Sequence, residues 1–171
     1  MKLVNSIFIK RPPGTVWVFL ENPENMLLWN SNVKHVSPSS FSGQKQGYRY
    51  AITYQMGENA IASEFQAEFV HFEPLSKLAI RHTGGASSPH NRVIEETYEL
   101  SERDGGTFLT QSIRVENSGI NIFLRLLFWI IQKWGKPTGK PYLGILRDII
   151  EGNNIDGKMH NRVGSDNSPA E

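Results

Sequence analysis

Two titratable residues are spaced so that they could meet and move a proton. His82 alternates with Leu78 and Ile80 in one predicted strand, and Glu96 alternates with Ile94 in the next. Because alternate residues of a strand share a face, both side chains are expected among apolar neighbours of one hairpin. A carboxylate beside an imidazole can hold the ring charged or fix its tautomer, as a general acid or base requires. The pair is a candidate for dehydration or aldol cyclisation, with a purely structural ion pair as the alternative.

Tyrosines form the second group that could do chemistry. Tyr50 and Tyr54 fall on the apolar face of residues 47–57, and Tyr98 falls on that of residues 92–100. A buried tyrosine hydroxyl needs a hydrogen-bond partner, so several on one face predict an apolar cavity that contains polar groups. Tyr54 or Tyr98 could then polarise a substrate carbonyl. The alternative is that these faces reach the rim of a sheet, where the hydroxyls meet water.

Composition and motifs exclude several other chemistries. The sequence has no cysteine, which rules out disulfides, thiolate nucleophiles and iron–sulfur clusters. Its net charge of +1 provides no overall attraction to nucleic acid. The other histidines lack metal-ligand spacing, and residues 135–140 lack the spacing of a phosphate-binding loop. We therefore expect no metal, no cofactor and no nucleic-acid partner.

The elements that would position these residues follow from hydrophobic periodicity. Residues 2–10 alternate as a strand, and residues 15–20 and 22–29 have the spacing of two short helices. Aromatic and β-branched runs closed by Gly, Pro, Ser or Asn then predict an antiparallel meander with one apolar face. The main runs are residues 47–57, 63–73, 77–83, 92–100 and 107–117. Irregular alternation around Val70 indicates a bulge.

A long C-terminal helix is predicted from residue 118 to residue 151. Phe123 and Leu127 belong to the stripe expected to face the sheet. Glycines and prolines in residues 135–141 predict a sharp kink or a break into two helices. Residues off the stripe, such as Trp129, are equally apolar. This helix could therefore make a peripheral membrane contact, form a homodimer or be covered by its own chain.

Both ends of the chain bear on its organisation and location. The N-terminal apolar stretch is too short and interrupted for a secretory signal. No stretch reaches the ~20 apolar residues that a membrane-spanning helix needs. Residues 152–171 carry almost nothing to bury and are expected to be a disordered tail. We expect a cytoplasmic protein with one folded domain over residues 1–151.

The order of the predicted elements and a set of N-terminal residues together resemble a known superfamily. These residues are Ile7-Phe8-Ile9, the stretch from Arg11-Pro12-Pro13-Gly14 to Leu20, Asn22-Pro23-Glu24-Asn25, and Trp29. They resemble the START and birch-pollen-allergen-like superfamily (SRPBCC), in particular its polyketide cyclase/dehydrase-like branch. The resemblance implies an α+β helix-grip fold: a curved antiparallel sheet of about seven strands wrapped on a long kinked C-terminal helix, with two short helices after the first strand. In that family the sheet and helix usually enclose a hydrophobic cavity.

The resemblance supplies a shape and no catalytic group, so function rests on the candidate residues. We expect binding or transport of a small hydrophobic ligand, such as a lipid, a quinone or a polyketide-like molecule, between sheet and C-terminal helix. One alternative is a polyketide cyclase/dehydratase-type enzyme that uses His82 and Glu96 as acid and base. Another is a protein-interaction module that presents the C-terminal helix. The expected ligand-binding residues are Tyr50, Tyr54, Phe65, Phe69, Ile80, Tyr98, Gln111, Phe123 and Leu127.

Overall fold

One antiparallel sheet and the helices that cross it make up the described part of the chain. The computed structural model describes residues 2–38, 46–55, 61–84, 92–115 and 142–152. The elements in chain order are β1 (Lys2–Ile9), α1 (Pro13–Glu21), a 3₁₀ turn (Pro23–Asn25), α2 (Met26–Trp29), β2 (Val33–Ser37), β3 (Arg49–Tyr54), β4 (Ser63–Glu73), β5 (Lys77–Gly84), β6 (Arg92–Arg103), β7 (Gly106–Val115) and α3 (Tyr142–Glu151). The predicted helix-grip α+β class is confirmed by these elements.

The sheet is a meander of six strands with the first strand of the chain added at one edge. Its strand order is β1-β7-β6-β5-β4-β3-β2, with every neighbouring pair antiparallel. Strands β2 to β6 each pair with the next strand in sequence, whereas β1 pairs with β7. The two short helices therefore carry the chain from one edge of the sheet to the other.

Local sequence explains the two short helices. Pro12 is extended at the N-cap of α1 and Pro13 begins the helix, where a missing N–H costs no hydrogen bond. Asn22 ends α1 and caps the next turn, because its side chain accepts a hydrogen bond of 3.0 Å from the Glu24 backbone N–H. Helix α1 then turns Val16, Trp17 and Leu20 toward the core.

The two faces of the sheet differ in chemistry. The inner face carries the core, which includes Phe69, Ile80, Tyr98 and Leu109. Helix α3 packs near β1 and α2, and its residues Leu143, Leu146 and Ile150 join this core. The outer face carries charged residues in register across the strands. Site residues on the inner face are therefore withdrawn from water.

A bulge in β4 changes which residues face inward. The pairing of β4 with β5 shifts register between Phe69 and His71, so the predicted bulge lies at Val70. Simple alternation places His71 beside Phe69, but His71 is exposed and Phe72 takes the inner position. Phe72 stacks on Phe69 with ring centres 5.9 Å apart and meets Trp17 edge-on at 5.3 Å.

Several predictions fall on residues outside the described ranges. The helix predicted over residues 118–151 is described only from residue 142, so Phe123, Leu127 and the kink lie outside. The tail at residues 152–171 lies outside as well, apart from Gly152. Among the described helices, none is long and apolar enough to cross a membrane.

Candidate functional site

Glu96 is the centre of a buried polar group on the inner face. The side chain of Tyr98 donates a hydrogen bond of 2.6 Å to Glu96 Oε1, and Gln111 Nε2 donates one of 2.5 Å to the same oxygen. Strand geometry brings these residues together, because Glu96 and Tyr98 are two residues apart on β6 and Gln111 is directly opposite Tyr98 on β7. Glu96 is only 8% exposed, so neighbouring side chains rather than water stabilise its charge.

His82 approaches the same carboxylate from strand β5. It pairs with Ile94, and Glu96 is its diagonal neighbour on the inner face. His82 Nε2 lies 3.6 Å from Glu96 Oε2, within ion-pair range and beyond hydrogen-bond length. The side chain is 3% exposed, and neither ring nitrogen has a hydrogen-bond partner within the described residues. The candidate acid–base pair therefore converges, with the imidazole still able to bond to another group.

The charge state of Glu96 follows from its neighbours. Burial by itself raises the pKa of the Glu96 carboxyl. The His82 imidazole and the two hydrogen bonds outweigh burial, so that the pKa lies below the ordinary glutamate value. Near neutral pH the site therefore holds a carboxylate.

The tyrosines around this carboxylate keep their hydroxyl protons and are neutral hydrogen-bond donors. Burial raises the pKa of Tyr50, Tyr54 and Tyr98 well above the ordinary tyrosine value, and the nearby carboxylate adds to the rise. Their hydroxyls remain protonated near neutral pH and can donate hydrogen bonds. Tyr54 also meets His82 edge-on, with ring centres 6.0 Å apart.

Two further buried polar atoms lack a hydrogen-bond partner in the described part of the chain. They are the indole Nε1 of Trp29 and the hydroxyl of Tyr50. Both residues are at most 2% exposed. The Trp29 ring lies edge-on to Tyr98 at 6.5 Å, which joins it to the group around Glu96. We refer to this set as the polar cluster: Trp29, Tyr50, His82, Glu96, Tyr98 and Gln111.

A small residue separates two unpartnered members of the polar cluster. Ala67 on β4 pairs with Tyr50 on β3 and with His82 on β5, so the three share one row of the inner face. Adjacent strands lie about 4.8 Å apart, which places Tyr50 and His82 roughly 10 Å apart at the backbone. Between them Ala67 projects only a methyl group.

The other expected ligand-binding residues surround this row. Phe69 and Ile80 are completely buried, while Tyr54 and Phe65 are half-buried and meet edge-on at 5.8 Å. The described residues expected to bind ligand thus share the inner face. Phe123 and Leu127 lie outside the described residues.

Trp29 is the member of the polar cluster that the sequence interpretation did not place in the site. In the sequence it ends a short apolar helix, which indicates a core residue. Hydrophobic periodicity could not predict that the Trp29 N–H lacks a partner, because this depends on how the residue packs against strands distant in sequence. Within the described ranges no group of three or more metal-ligating side chains comes together.

Comparison with known proteins adds a family and a fold. A family model described as polyketide cyclase / dehydrase and lipid transport matches residues 1–137. No curated protein matches the sequence.

Three solved structures illustrate the fold. Protein CV1439 from Chromobacterium violaceum is 13% identical with a TM-score of 0.62, and the match covers 88% of this chain and 96% of that one. Ara h 8.0201 is 10% identical with a TM-score of 0.61 and coverages of 90% and 99%. The Aha1 dimer from Colwellia psychrerythraea is 16% identical with a TM-score of 0.54 and coverages of 88% and 96%. At such identities the likeness concerns the fold alone.

Proposed function

Because the chain belongs to the polyketide cyclase/dehydrase and lipid transport family, we propose that it binds a small, mostly apolar molecule between the inner face of its sheet and the C-terminal helix. The family and fold agree with the SRPBCC resemblance in the sequence. The polar cluster would hold the polar group of that molecule, and the surrounding aromatic side chains would hold its apolar part.

One observation carries this proposal: three buried side chains of the polar cluster lack hydrogen-bond partners within the described residues. They are Trp29, Tyr50 and His82. A buried polar group left without a partner costs about 1–3 kcal/mol, so protein interiors rarely retain several. A purely structural core of this family would be expected to pair or replace them. A ligand that brings an oxygen atom to these groups would provide the missing partners.

The row across β3, β4 and β5 is where we place that polar group. Tyr50 and His82 flank Ala67, whose side chain is only a methyl group. Tyr54 and Phe65 continue the aromatic surface on one side of this row, and Phe69 on the other. The predicted contribution of Phe123 and Leu127 from the C-terminal helix belongs to the same proposal.

The proposal is tested by enlarging the side chain at the centre of this row. Ala67→Leu adds three carbon atoms between Tyr50 and His82, and we expect it to weaken binding of an apolar ketone, dodecan-2-one, by at least tenfold. Quenching of intrinsic tryptophan fluorescence measures binding, since Trp29 belongs to the polar cluster. Ala51→Leu is the matched control, because Ala51 lies on the neighbouring strand β3 and faces outward. It should bind as the unmodified protein does.

Native mass spectrometry of the purified protein provides an independent measurement. We expect a co-purifying lipid, quinone or polyketide-like molecule in the unmodified protein and in Ala51→Leu, and its loss from Ala67→Leu. Equal binding by the two variants, with both folded by circular dichroism, would contradict the placement. Failure of the unmodified protein to bind any apolar probe or to carry a molecule would refute the function itself.

The 3.6 Å approach of His82 to Glu96 supports a second candidate, a cyclase/dehydratase-type enzyme. In such an enzyme His82 would move the proton and Glu96 would orient and charge-balance the imidazole. Tyr54 or Tyr98 would donate a hydrogen bond to a substrate carbonyl. His82→Ala and Glu96→Gln should then abolish turnover of a polyketone substrate while its binding remains measurable. Turnover that survives both substitutions would exclude the enzyme.

The remaining proposals concern the chain outside the site. We propose that residues 1–151 form the folded domain, that residues 152–171 are a disordered tail, and that the protein acts in the cytoplasm. The third candidate is an interaction module that presents the C-terminal helix predicted over residues 118–151, and a homodimer or a peripheral membrane contact through this helix belongs to the same proposal. Light scattering and co-sedimentation with anionic vesicles test these two contacts. A monomer that does not sediment with vesicles would exclude both.

A further inference from the structure

Building on the proposed function, we infer that the site selects uncharged oxygen-bearing molecules over carboxylates, and that Glu96 is the residue that sets this selectivity. The ligand class would be ketones, esters, phenols or alcohols with a substantial apolar part. Free fatty acids and other carboxylates would be rejected even where their apolar part is the same.

Hydrogen bonds prevent Glu96 from turning away from a ligand. Its Oε1 atom is fixed by donors on two strands, Tyr98 at 2.6 Å and Gln111 at 2.5 Å. These contacts leave the carboxylate directed at the inner face, where it is 8% exposed. A charge buried among apolar side chains is poorly screened, so it acts strongly on any second charge nearby.

Few groups around the Glu96 carboxylate could balance a second negative charge. The groups that contact Glu96 in the described part of the chain are His82, Tyr98 and Gln111. None of these is a lysine or an arginine, and Tyr50 and Tyr54 are neutral phenols. His82 is the one contacting group that can carry a positive charge, and it is already beside Glu96. A second carboxylate would therefore be placed in the cluster without a cation of its own.

The unpartnered atoms of the polar cluster suit a neutral oxygen. The Trp29 indole can only donate a hydrogen bond, and the Tyr50 hydroxyl can donate or accept. A carbonyl oxygen accepts from such groups, and a hydroxyl can in addition donate to a ring nitrogen of His82. Both complete the hydrogen bonding of the cluster without adding charge.

The test compares two ligands that share an apolar chain and differ in charge, dodecanoate and methyl dodecanoate. Binding is measured at pH 8 by isothermal titration calorimetry, below the concentration at which dodecanoate forms micelles. We expect the ester to bind the unmodified protein at least tenfold more tightly than dodecanoate. Glu96→Gln removes the charge and keeps the shape, so we expect the ratio to fall to threefold or less, mainly through tighter binding of dodecanoate.

Glu99→Gln is the matched control. Glu99 lies three residues further along β6 on the outer face, where it pairs with Lys77 at 3.0 Å. The same change of charge there should leave the preference for the ester at tenfold or more. This control separates a local effect of Glu96 from the overall charge of the protein.

Failure of the selectivity and failure of the function give different results. Dodecanoate binding as tightly as the ester to the unmodified protein, or an unchanged ratio in Glu96→Gln, overturns the selectivity while ligand binding stands. No binding of either ligand overturns the selectivity, and when dodecan-2-one does not bind and no molecule co-purifies either, the function is overturned as well. If Glu96→Gln does not fold, Glu96→Met, which has similar volume and no charge, replaces it with the same expected ratio. The comparison in the unmodified protein can refute the inference by itself.

Discussion

At the scale of single residues, the buried carboxylate of Glu96 couples the site to the stability of the fold. Two hydrogen bonds and the His82 imidazole favour its charged form in the native state. The unfolded chain provides none of these neighbours, so the carboxyl returns there to its ordinary pKa of about 4.3. A difference in pKa between the two states makes stability depend on pH.

The contribution of Glu96 to stability decreases at low pH. Because the pKa of Glu96 is lower in the folded state, its contribution to stability is fully present above the ordinary glutamate value. That contribution is lost as the pH falls through the folded value. We therefore expect the stability of the unmodified protein, relative to Glu96→Gln, to decrease below about pH 4.3, by at most about 1.4 kcal/mol per pH unit.

Urea unfolding between pH 3 and pH 7 measures this difference. Glu99→Gln serves as the control, since Glu99 is exposed and pairs with Lys77 on the outer face. Its difference from the unmodified protein should change much less over the same range. A Glu96→Gln difference that stays constant with pH, or that grows in the opposite direction, would contradict the assigned neighbours.

Residue positions in the site were predictable only in part. Strict alternation placed His82, Glu96 and Gln111 on one face, and strand pairing then brings them into contact. The role of Trp29 was not predictable, because its N–H lacks a partner for reasons of packing between α2 and distant strands. Alternation gives the direction of a side chain, whereas hydrogen-bond partners depend on neighbours far away in sequence.

At the scale of elements, the junction of β1 with β7 depends on a tight backbone contact. The turn before β7 contains Asp104 and Gly105, both with positive φ, as a two-residue hairpin requires. Strand β7 then begins at Gly106 beside the end of β1. A Cβ atom at Gly106 would lie 2.5 Å from the Ile9 carbonyl oxygen and 2.6 Å from Phe8 Cζ. Backbone on β1 therefore occupies the space that a side chain would need.

Gly106→Ala should consequently destabilise the protein. The added methyl group must push β1 away from β7, and we expect a loss of about 1–3 kcal/mol in the free energy of unfolding. Gly14→Ala is the control, because a Cβ there meets no described atom within 4 Å and alanine favours the helix. It should leave stability unchanged or raise it by up to about 1 kcal/mol. Urea unfolding that finds Gly106→Ala as stable as Gly14→Ala would exclude this contact.

Element types were predicted better than their ends. Period-two alternation and turn residues identified the main strands, because each strand has one apolar face. The bulge at Val70 was indicated by the same pattern, but only the observed register shows that it turns His71 outward and Phe72 inward. The sequence predicts β6 over residues 92–100, whereas the strand is Arg92–Arg103. Such ends depend on pairing with neighbouring strands rather than on local periodicity.

At the scale of the whole molecule, the two faces of the sheet specify the same register by different means. On the inner face, the correct register is the one in which the apolar side chains point toward the helices. The outer face places oppositely charged residues opposite each other in one row, namely Arg49, Glu68, Arg81, Glu95 and Arg114. Two pairs of this row are in contact, Arg49 with Glu68 at 3.1 Å and Arg81 with Glu95 at 3.4 Å. Slipping a strand by one residue would turn its charges inward, so this row and the core disfavour the same errors.

Reversing one charge in the middle of this row tests its contribution. Glu68→Lys places a positive charge between Arg49 and Arg81, and we expect a loss of about 1 kcal/mol in the free energy of unfolding at low salt. The loss should shrink in 0.5 M NaCl, because the row is exposed to solvent. Glu64→Lys lies on the same strand and face but opposite Thr53, so it should cost much less. Equal losses in the two variants, or a Glu68→Lys loss insensitive to salt, would show that the row contributes nothing to register and that the inner face alone specifies it.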